Sequence, residues 1–339
     1  MKGGACCIRF YETAQRHKNV MNILVVGAVV CDIAAKPVGA DAIEKRRIEI
    51  DSLNISGGGD ANNASIDLAT FGEQVRIVSK VGNDFLGSML TEQLQTKGVD
   101  TRYLLRDPET ETTAAILMLG PGGSSTISAR RNGACDTICE KDVPDEALEW
   151  ADHLHVVNVL NMPMLDGEGL AELFRRAHAH GITTSMDMKR PRKLHDEPLA
   201  CIKEALPHCD VFLPSDHEIE YVTGLTDPVQ ATEFLRPFAP KLFVMKRGAE
   251  GVYVTDFSSS FTQPSLYEGT PVDVVGAGDA FSSTFVASWK NGYTLEDCAR
   301  LASNASAHVL SKIGTTAGMC SRKELIDDLN RRGYHISNK

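Results

Sequence analysis

Short apolar runs alternate with amphipathic segments along most of the chain. Segments in which apolar residues recur at helical spacing are 64–71, 88–97, 166–180, 198–205, 230–238, 279–291, 295–311 and 321–330. Six apolar runs precede or separate the first six of these segments, and they predict strands buried on both faces: 23–26, 75–78, 154–157, 183–186, 211–213 and 242–245. Strands that alternate with helices predict an α/β fold with a mainly parallel sheet.

Two segments, 33–56 and 111–131, break this alternation. The second has the pattern of a hairpin that turns at 121–123, where Pro and Gly cluster. Together they predict a small separate β-sheet that the main domain carries as a lid. Residues 1–20 lack the apolar core of a signal peptide. We expect them to form a disordered extension, with the globular domain spanning 21–339.

Composition excludes several classes of protein. The formal net charge is −10, and general binding of nucleic acid requires a basic face. No apolar run approaches the ~20 residues of a membrane helix. The nine cysteines include no CxxC pair, which predicts reduced thiols in a cytoplasmic protein and no structural zinc site.

The stretch DVVGAGDAF, residues 273–281, places three tiny residues before an aspartate and an apolar helix. The first turn of a helix carries unpaired N–H groups and partial positive charge, so an anion can bind where no side chain blocks it. Gly276, Ala277 and Gly278 leave that space, and Asp279 supplies a base beside it. This arrangement suits phosphoryl transfer to an alcohol. A simple glycine turn with Asp279 as the helix N-cap is the alternative.

A second glycine cluster, SGGGDANNA, occupies residues 56–64. Its glycines allow the backbone to approach a ligand closely, and its Asp and Asn side chains suit the hydroxyls of a sugar. Asp32 follows the first predicted strand, at the edge where α/β sheets bind ligands. The alternative is a turn with an Asn cap. Neither a GxxxxGK[ST] loop nor a GxGxxG after a strand is present, which disfavours P-loop and dinucleotide-binding folds.

Taken together, the two clusters resemble the signatures of the ribokinase-like sugar kinases, the PfkB family. The resemblance runs from about residue 23 to 330. Residues 273–281 match the C-terminal signature D-[TV]-x-G-A-G-D-x-F, and Gly58, Gly59 and Asn63 match the N-terminal one. The stretches RRNG, NMPMLDG and DMKRP are similar to less-characterised bacterial sugar kinases of this family. The resemblance implies a three-layer α/β/α domain with a small β-sheet lid.

The resemblance also implies roles for individual residues. Asp279 would be the catalytic base, and Gly276, Ala277 and Gly278 would form the anion hole with its amide. Asn62 is a close alternative to Asn63, but the spacing to Gly72 and Gly82 favours Asn63. The residues expected to bind the acceptor are Asp32, Gly58, Gly59, Asp60, Asn63 and Arg131.

The nucleotide half of the family pattern is present as well. Glu218 fits the glutamate that organises hydrated Mg²⁺, although Ser215 stands where the family usually has Asn. The residues expected near the nucleotide and its phosphates are Ser215, Lys246, Gly248, Asp187 and Lys189. A K⁺ ion would be held by backbone carbonyls around Asp273, Val275 and Gly314.

The sequence thus predicts an enzyme that phosphorylates a sugar or sugar-like primary alcohol, with ATP, Mg²⁺ and K⁺ as its nucleotide and ions. A nucleoside kinase of the same family is one alternative. A non-catalytic sugar- or nucleotide-binding regulator is another, disfavoured because Asp279 and the glycines are intact. The Ile/Leu alternation in 48–55 permits a homodimer through the lid.

Overall fold

A nine-stranded, mainly parallel sheet forms the centre of the molecule. The structure is a computed structural model that describes residues 20–39, 41–120 and 126–336. In spatial order the large sheet runs β13-β12-β11-β10-β9-β8-β1-β4-β5, and among the described strands only β12 runs antiparallel to the others. Its strands are β1 Asn22–Val26, β4 Gln74–Gly82, β5 Asp100–Asp107, β8 His153–Val159, β9 Thr183–Met188, β10 Val211–Phe212, β11 Leu242–Lys246, β12 Val252–Thr255 and β13 Ser260–Gln263.

Helices cover both faces of this sheet. They are α2 Asp60–Phe71, α3 Phe85–Thr96, α4 Asp145–Trp150, α5 Glu168–Ala179, α6 Asp216–Thr223, α7 Pro228–Leu235, α8 Ala277–Lys290, α9 Leu295–Leu310 and α10 Arg322–Arg331. A four-residue helix, α1 Ala42–Lys45, belongs instead to the segment 33–56. One apolar core joins α2, α3, α8, α9 and α10 to the sheet. A second core packs α4, α5, α6 and α7 against the opposite face of the sheet. The predicted three-layer α/β/α fold is therefore confirmed.

A smaller sheet of order β3-β2-β6-β7 forms the predicted lid. Its strands are β2 Val30–Lys36, β3 Ser52–Gly58, β6 Ala114–Leu119 and β7 Thr126–Arg131. The predicted turn at 121–123 and the extension 1–19 lie outside the described residues. Leu53, Ile55 and Ile116 expose 60%, 45% and 47% of their surface on this lid.

One predicted helix is wrong, and three strands were not predicted. Residues 198–205 form a short 3₁₀ turn at Pro198–Cys201 followed by further turns, with backbone bonds such as Ile202 N to Leu199 O. The missed strands β5, β12 and β13 lie at the two ends of the large sheet. β5 and β13 are end strands with partly exposed residues, so they lack the continuous apolar run of a central strand, whereas β12 is fully buried but has only four residues.

The packing of α2 against α8 positions the functional residues. The first turns of these helices meet where Asn63 of α2 bonds Asp279 of α8. Within the three described ranges, no helix combines the length and apolarity that crossing a membrane requires.

Candidate active site

The first turn of α8 is open because its residues are small. Gly276 precedes the helix with a φ of +86°, and a Cβ there would lie 2.0 Å from the Thr315 carbonyl oxygen. Only glycine fits this backbone. At Gly278 the nearest atom to an added Cβ would be Lys246 Nζ, 4.0 Å away. The amides of this turn therefore border open space that can receive an anion.

Asp279 lies at the third position of α8, so it is not the N-cap of the alternative interpretation. Its Oδ2 accepts a hydrogen bond of 2.8 Å from the Asn63 side-chain amide. Burial, followed by the negative charge of Asp60, raises the pKa of Asp279 to about 7, although Lys189 and Asn63 act in the opposite direction. A carboxylate with this pKa is suited to accept a proton near neutral pH.

Two further carboxylates lie on the lid side of Asp279. Asp32 packs on Gly58, where a Cβ would lie 1.9 Å from its Oδ2, which explains the glycine. Asp60, the first residue of α2, is buried and accepts a 3.0 Å bond from Lys189 Nζ. Burial raises the pKa of Asp32 to about 6, and Lys189 and Arg130 lower it.

Gly59 and Asn62 complete the N-terminal cluster. Gly59 has a φ of +86°, and a Cβ there would lie 2.5 Å from the Ala28 carbonyl oxygen. Asn62 Nδ2 donates weakly to Asn63 Oδ1 at 3.4 Å, while Asn63 itself contacts Asp279. Of the two asparagines, the geometry brings Asn63 to the base.

The lid arginines differ from the sequence expectation in detail. Arg131 pairs with Glu111 and donates to the Thr112 carbonyl oxygen at 2.7 Å, so it is held at the base of the lid. Its neighbour Arg130 influences Asp32, although it also pairs with Asp136 at 3.1 Å. Sequence reasoning missed Arg130, because adjacent residues on a strand point to opposite faces and the sequence does not say which is inward.

On the other side of Asp279, Lys246 and Asp187 form a buried ion pair. Lys246 Nζ lies 2.7 and 2.5 Å from the two Asp187 oxygens and 3.0 Å from Ser282 Oγ. Ser282 Oγ in turn donates to Asp187 Oδ2 at 2.5 Å. Burial raises the pKa of Asp187, and Lys246 lowers it.

Ser215 and Glu218 form a reciprocal capping box at the start of α6. Ser215 N donates to Glu218 Oε2 at 2.7 Å, and Glu218 N donates to Ser215 Oγ at 3.3 Å. Burial raises the pKa of Glu218 to about 7; Lys246 lowers it and Asp187 raises it. No cluster of three or more His, Cys, Asp or Glu side chains with metal-binding geometry occurs within the described ranges.

A cleft of about 340 Å³ opens beside Lys246, Gly248 and the first turn of α8. Sequence reasoning found those residues but missed most of the lining. The missed residues come from α9 and the loop after β13, and they include Tyr267, Ser303, Ser306, Ala307 and Leu310. They are small or apolar residues without a distinctive pattern, so only the fold brings them together.

The two loops expected around a K⁺ ion meet beside α8. Asp273 Oδ2 accepts from Gly314 N at 3.1 Å, and Asp273 Oδ1 accepts from Val275 N at 3.0 Å. Gly314 lies four residues beyond the end of α9, so it does not cap that helix.

Comparisons with known proteins agree with this geometry. The sequence pattern of the pfkB family carbohydrate kinases matches residues 21–322. Ribokinase of Bacillus subtilis (strain 168) is 28% identical over 305 residues, covering 90% of this chain and 98% of the relative. The 2-dehydro-3-deoxygluconokinase of the same organism is 26% identical, covering 83% and 89%. A putative ribokinase II from E. coli, solved with ATP and Mg²⁺, superposes with a TM-score of 0.78 at 21% identity, covering 92% and 100%.

Proposed function

The chain belongs to the pfkB family of carbohydrate kinases, and we propose that it transfers the γ-phosphoryl group of ATP to a primary hydroxyl of a sugar or sugar-like alcohol. One observation carries the proposal. The Asp279 carboxylate, held by Asn63, lies beside the open first turn of α8. A base next to an anion site is the minimum that phosphoryl transfer to an alcohol requires.

The acceptor would bind between the lid and α2. The carboxylates of Asp32 and Asp60 offer hydrogen-bond acceptors to its hydroxyls, and the Asn63 amide lies beside them. Gly58 and Gly59 keep the backbone of this wall free of side chains. Closure of the lid over the acceptor would exclude water that otherwise hydrolyses ATP.

Asp279 would then accept the proton of the attacking hydroxyl. The hydroxyl oxygen forms a bond to the γ-phosphorus, the bond from that phosphorus to the β–γ bridging oxygen breaks, and ADP leaves. Negative charge on the transferring group would be stabilised at the positive end of α8, by the backbone amides of Gly276, Ala277, Gly278 and Asp279.

The cleft beside Gly248 would hold the nucleotide, with Lys246 and Lys189 near its phosphates. Glu218 and Ser215 fit hydrated Mg²⁺, because Mg²⁺ prefers oxygen ligands and keeps several water molecules, to which carboxylate and hydroxyl oxygens can hydrogen-bond. When bound with ATP, Mg²⁺ supplies positive charge to the phosphate oxygens. The E. coli relative solved with ATP and Mg²⁺ supports the use of Mg²⁺ with ATP.

A K⁺ site beside the anion hole and a dimer through the lid complete the proposal. The approach of Asp273 to Gly314 supports the K⁺ site, since it brings two carbonyl-bearing loops together.

The exposed apolar side chains of Leu53, Ile55 and Ile116 support a dimer through the lid. Light scattering on the protein and on its Leu53→Lys variant would test the dimer.

The function is tested by a panel of neutral sugars, sugar acids and nucleosides assayed with MgATP, with and without K⁺. We expect ADP release that depends on one class of alcohol, with the phosphorylated product visible by mass spectrometry. A nucleoside as the preferred acceptor would instead establish a nucleoside kinase. Nucleotide binding without transfer to any of these acceptors would favour a regulator.

A further inference from the structure

Lys246 occupies an unusual position at the phosphate end of the proposed active site. Strand β10 has only two residues, Val211–Phe212, and lies between β9 and β11. The residues that follow β10 still lie beside the end of β11, so a side chain there must reach past them to contact β9. Lys246 does so, and its ammonium group contacts both carboxylate oxygens of Asp187.

The surroundings of this ammonium group resemble those of a bound metal ion. Two carboxylates, Asp187 and Glu218, are 5% and 7% exposed, and the charge of Lys246 acts on both. Ser282 adds a hydroxyl oxygen 3.0 Å from the nitrogen. Carboxylate and hydroxyl oxygens are the ligands that Mg²⁺ and Mn²⁺ prefer, yet Asp187 is already fully engaged by a side chain of the protein.

The ammonium group also faces the place where phosphate would bind. Lys246 lines the cleft, and its Nζ is 4.0 Å from the point where a Cβ on Gly278 would lie. The transferring phosphoryl group carries negative charge, and enzymes stabilise that charge with a second metal ion or with a lysine placed beside it. Both solutions place the charge at the same point.

We infer that Lys246 serves as a resident cation, which holds Asp187 and takes the place of a second divalent metal ion. The inference rests on the proposed function for its meaning in catalysis. Its structural part does not, because it states that, in the absence of nucleotide, Asp187 and Glu218 together hold a divalent metal ion only when the ammonium group is removed. The enzyme would then use a single Mg²⁺, the one that arrives with ATP.

The test is Mn²⁺ binding without nucleotide or acceptor, followed at pH 8 by electron paramagnetic resonance of free Mn²⁺. We expect Lys246→Met to bind one Mn²⁺ at least about tenfold more tightly than the unaltered protein, because it leaves two buried carboxylates without their cation. The double variant Lys246→Met/Asp187→Asn should lose the site again. No acceptor is turned over, so this result is independent of the proposed function.

Lys189→Met is the matched control. It removes an equal charge that also acts on Glu218, but its ion-pair partner is Asp60 and its side chain is 53% exposed. We expect no new Mn²⁺ site in this variant. Equal Mn²⁺ binding in the unaltered protein and Lys246→Met, or equal gains in both lysine variants, would overturn the inference.

A second measurement covers the case in which Lys246→Met does not fold. With ATP saturated by one equivalent of Mg²⁺, further free Mg²⁺ should change the turnover of the unaltered enzyme by less than about twofold. Activation of tenfold or more by excess Mg²⁺ would show that a second metal ion is needed and that Lys246 does not replace it.

Discussion

The side-chain amide of Asn63 donates a 2.8 Å hydrogen bond to the Asp279 carboxylate across the contact between α2 and α8. The two residues come from glycine clusters that are 216 positions apart. This bond fixes the direction of the carboxylate and lowers its pKa, against the effect of burial. It therefore joins the two glycine clusters of the candidate site.

Replacing Asn63 with Ala should lower kcat by about 10–100-fold, because a hydrogen bond to a charged group contributes about 1.5–3 kcal/mol. Loss of the bond also raises the pKa of Asp279, so the acidic limb of the pH profile should move to higher pH. Steady-state kinetics between pH 5.5 and 9 would measure both effects. Asn62→Ala is the control, and equal losses in the two variants would contradict a specific role for Asn63.

Asp279→Asn should lower turnover by about 10²–10⁴-fold, the usual contribution of a positioned general base. Nucleotide binding should be largely retained, since the first turn of α8 is unchanged. Single-turnover kinetics and calorimetric titration with MgATP separate the two properties. Asp327→Asn, on the exposed face of α10, is the control for charge loss. Near-normal turnover in Asp279→Asn would remove the base assignment.

The sequence predicted the central part of the fold because buried parallel strands are apolar throughout. Runs such as 154–157 and 242–245 became β8 and β11, whereas β5 has polar residues at both ends and only one buried position, so it escaped prediction. Residues 198–205 show the opposite error. A helical spacing of apolar residues was present there, but the chain forms 3₁₀ turns at Pro198–Cys201 and Leu206–His208 in place of a regular α-helix.

The candidate site could be predicted where a residue type is required by the backbone, and not elsewhere. Gly58 and Gly276 lie where a Cβ would meet an oxygen at 2.0 Å or less, so they leave a signature in the sequence. Tyr267 and Ser303 line the cleft through loop and helix packing, which no local pattern encodes. The Lys246–Asp187 pair joins β11 to β9 across the chain that lies between them, which is a tertiary feature.

The two glycines before Asp279 should respond differently to substitution by Ala. At Gly276, a positive φ and the Thr315 carbonyl oxygen oppose a side chain, so Gly276→Ala should destabilise the fold by about 2 kcal/mol or more. At Gly278 there is space, so Gly278→Ala should unfold normally yet bind ATP less tightly, because its methyl group enters the anion site. Urea unfolding and nucleotide titration would show this; equal destabilisation by both would contradict it.

The charges around Asp279 predict opposite pH shifts for two variants. The base must be ionised, and its pKa is about 7, so kcat/KM should rise through about pH 7 and then level off. Asp60 raises that pKa and Lys189 lowers it. The acidic limb should therefore move to lower pH in Asp60→Asn and to higher pH in Lys189→Met. Shifts in the same direction would show that structural perturbation, not charge, controls the profile.

Asp67 lies one helical turn beyond Asn63 on α2, fully buried, and neither of its oxygens has a hydrogen-bond partner within the described part of the chain. Burial, with a smaller contribution from Asp279, raises its pKa well above the usual value. The folded state therefore holds a proton that the unfolded chain releases near pH 4, so this residue destabilises the fold increasingly as pH rises from about 4 towards its folded pKa.

Asp67→Leu should accordingly raise the free energy of unfolding by about 1–3 kcal/mol at pH 8, the range for relieving a buried unsatisfied polar group. The gain should be smaller at pH 5, since less of the difference in protonation has developed there. Urea unfolding at both values would measure it, with Asp327→Leu as the exposed control, because contributions from other titrating groups cancel between variants. A loss of stability at both pH values would show that the Asp67 carboxyl has a stabilising partner in the fold, and the gain would then have no physical basis.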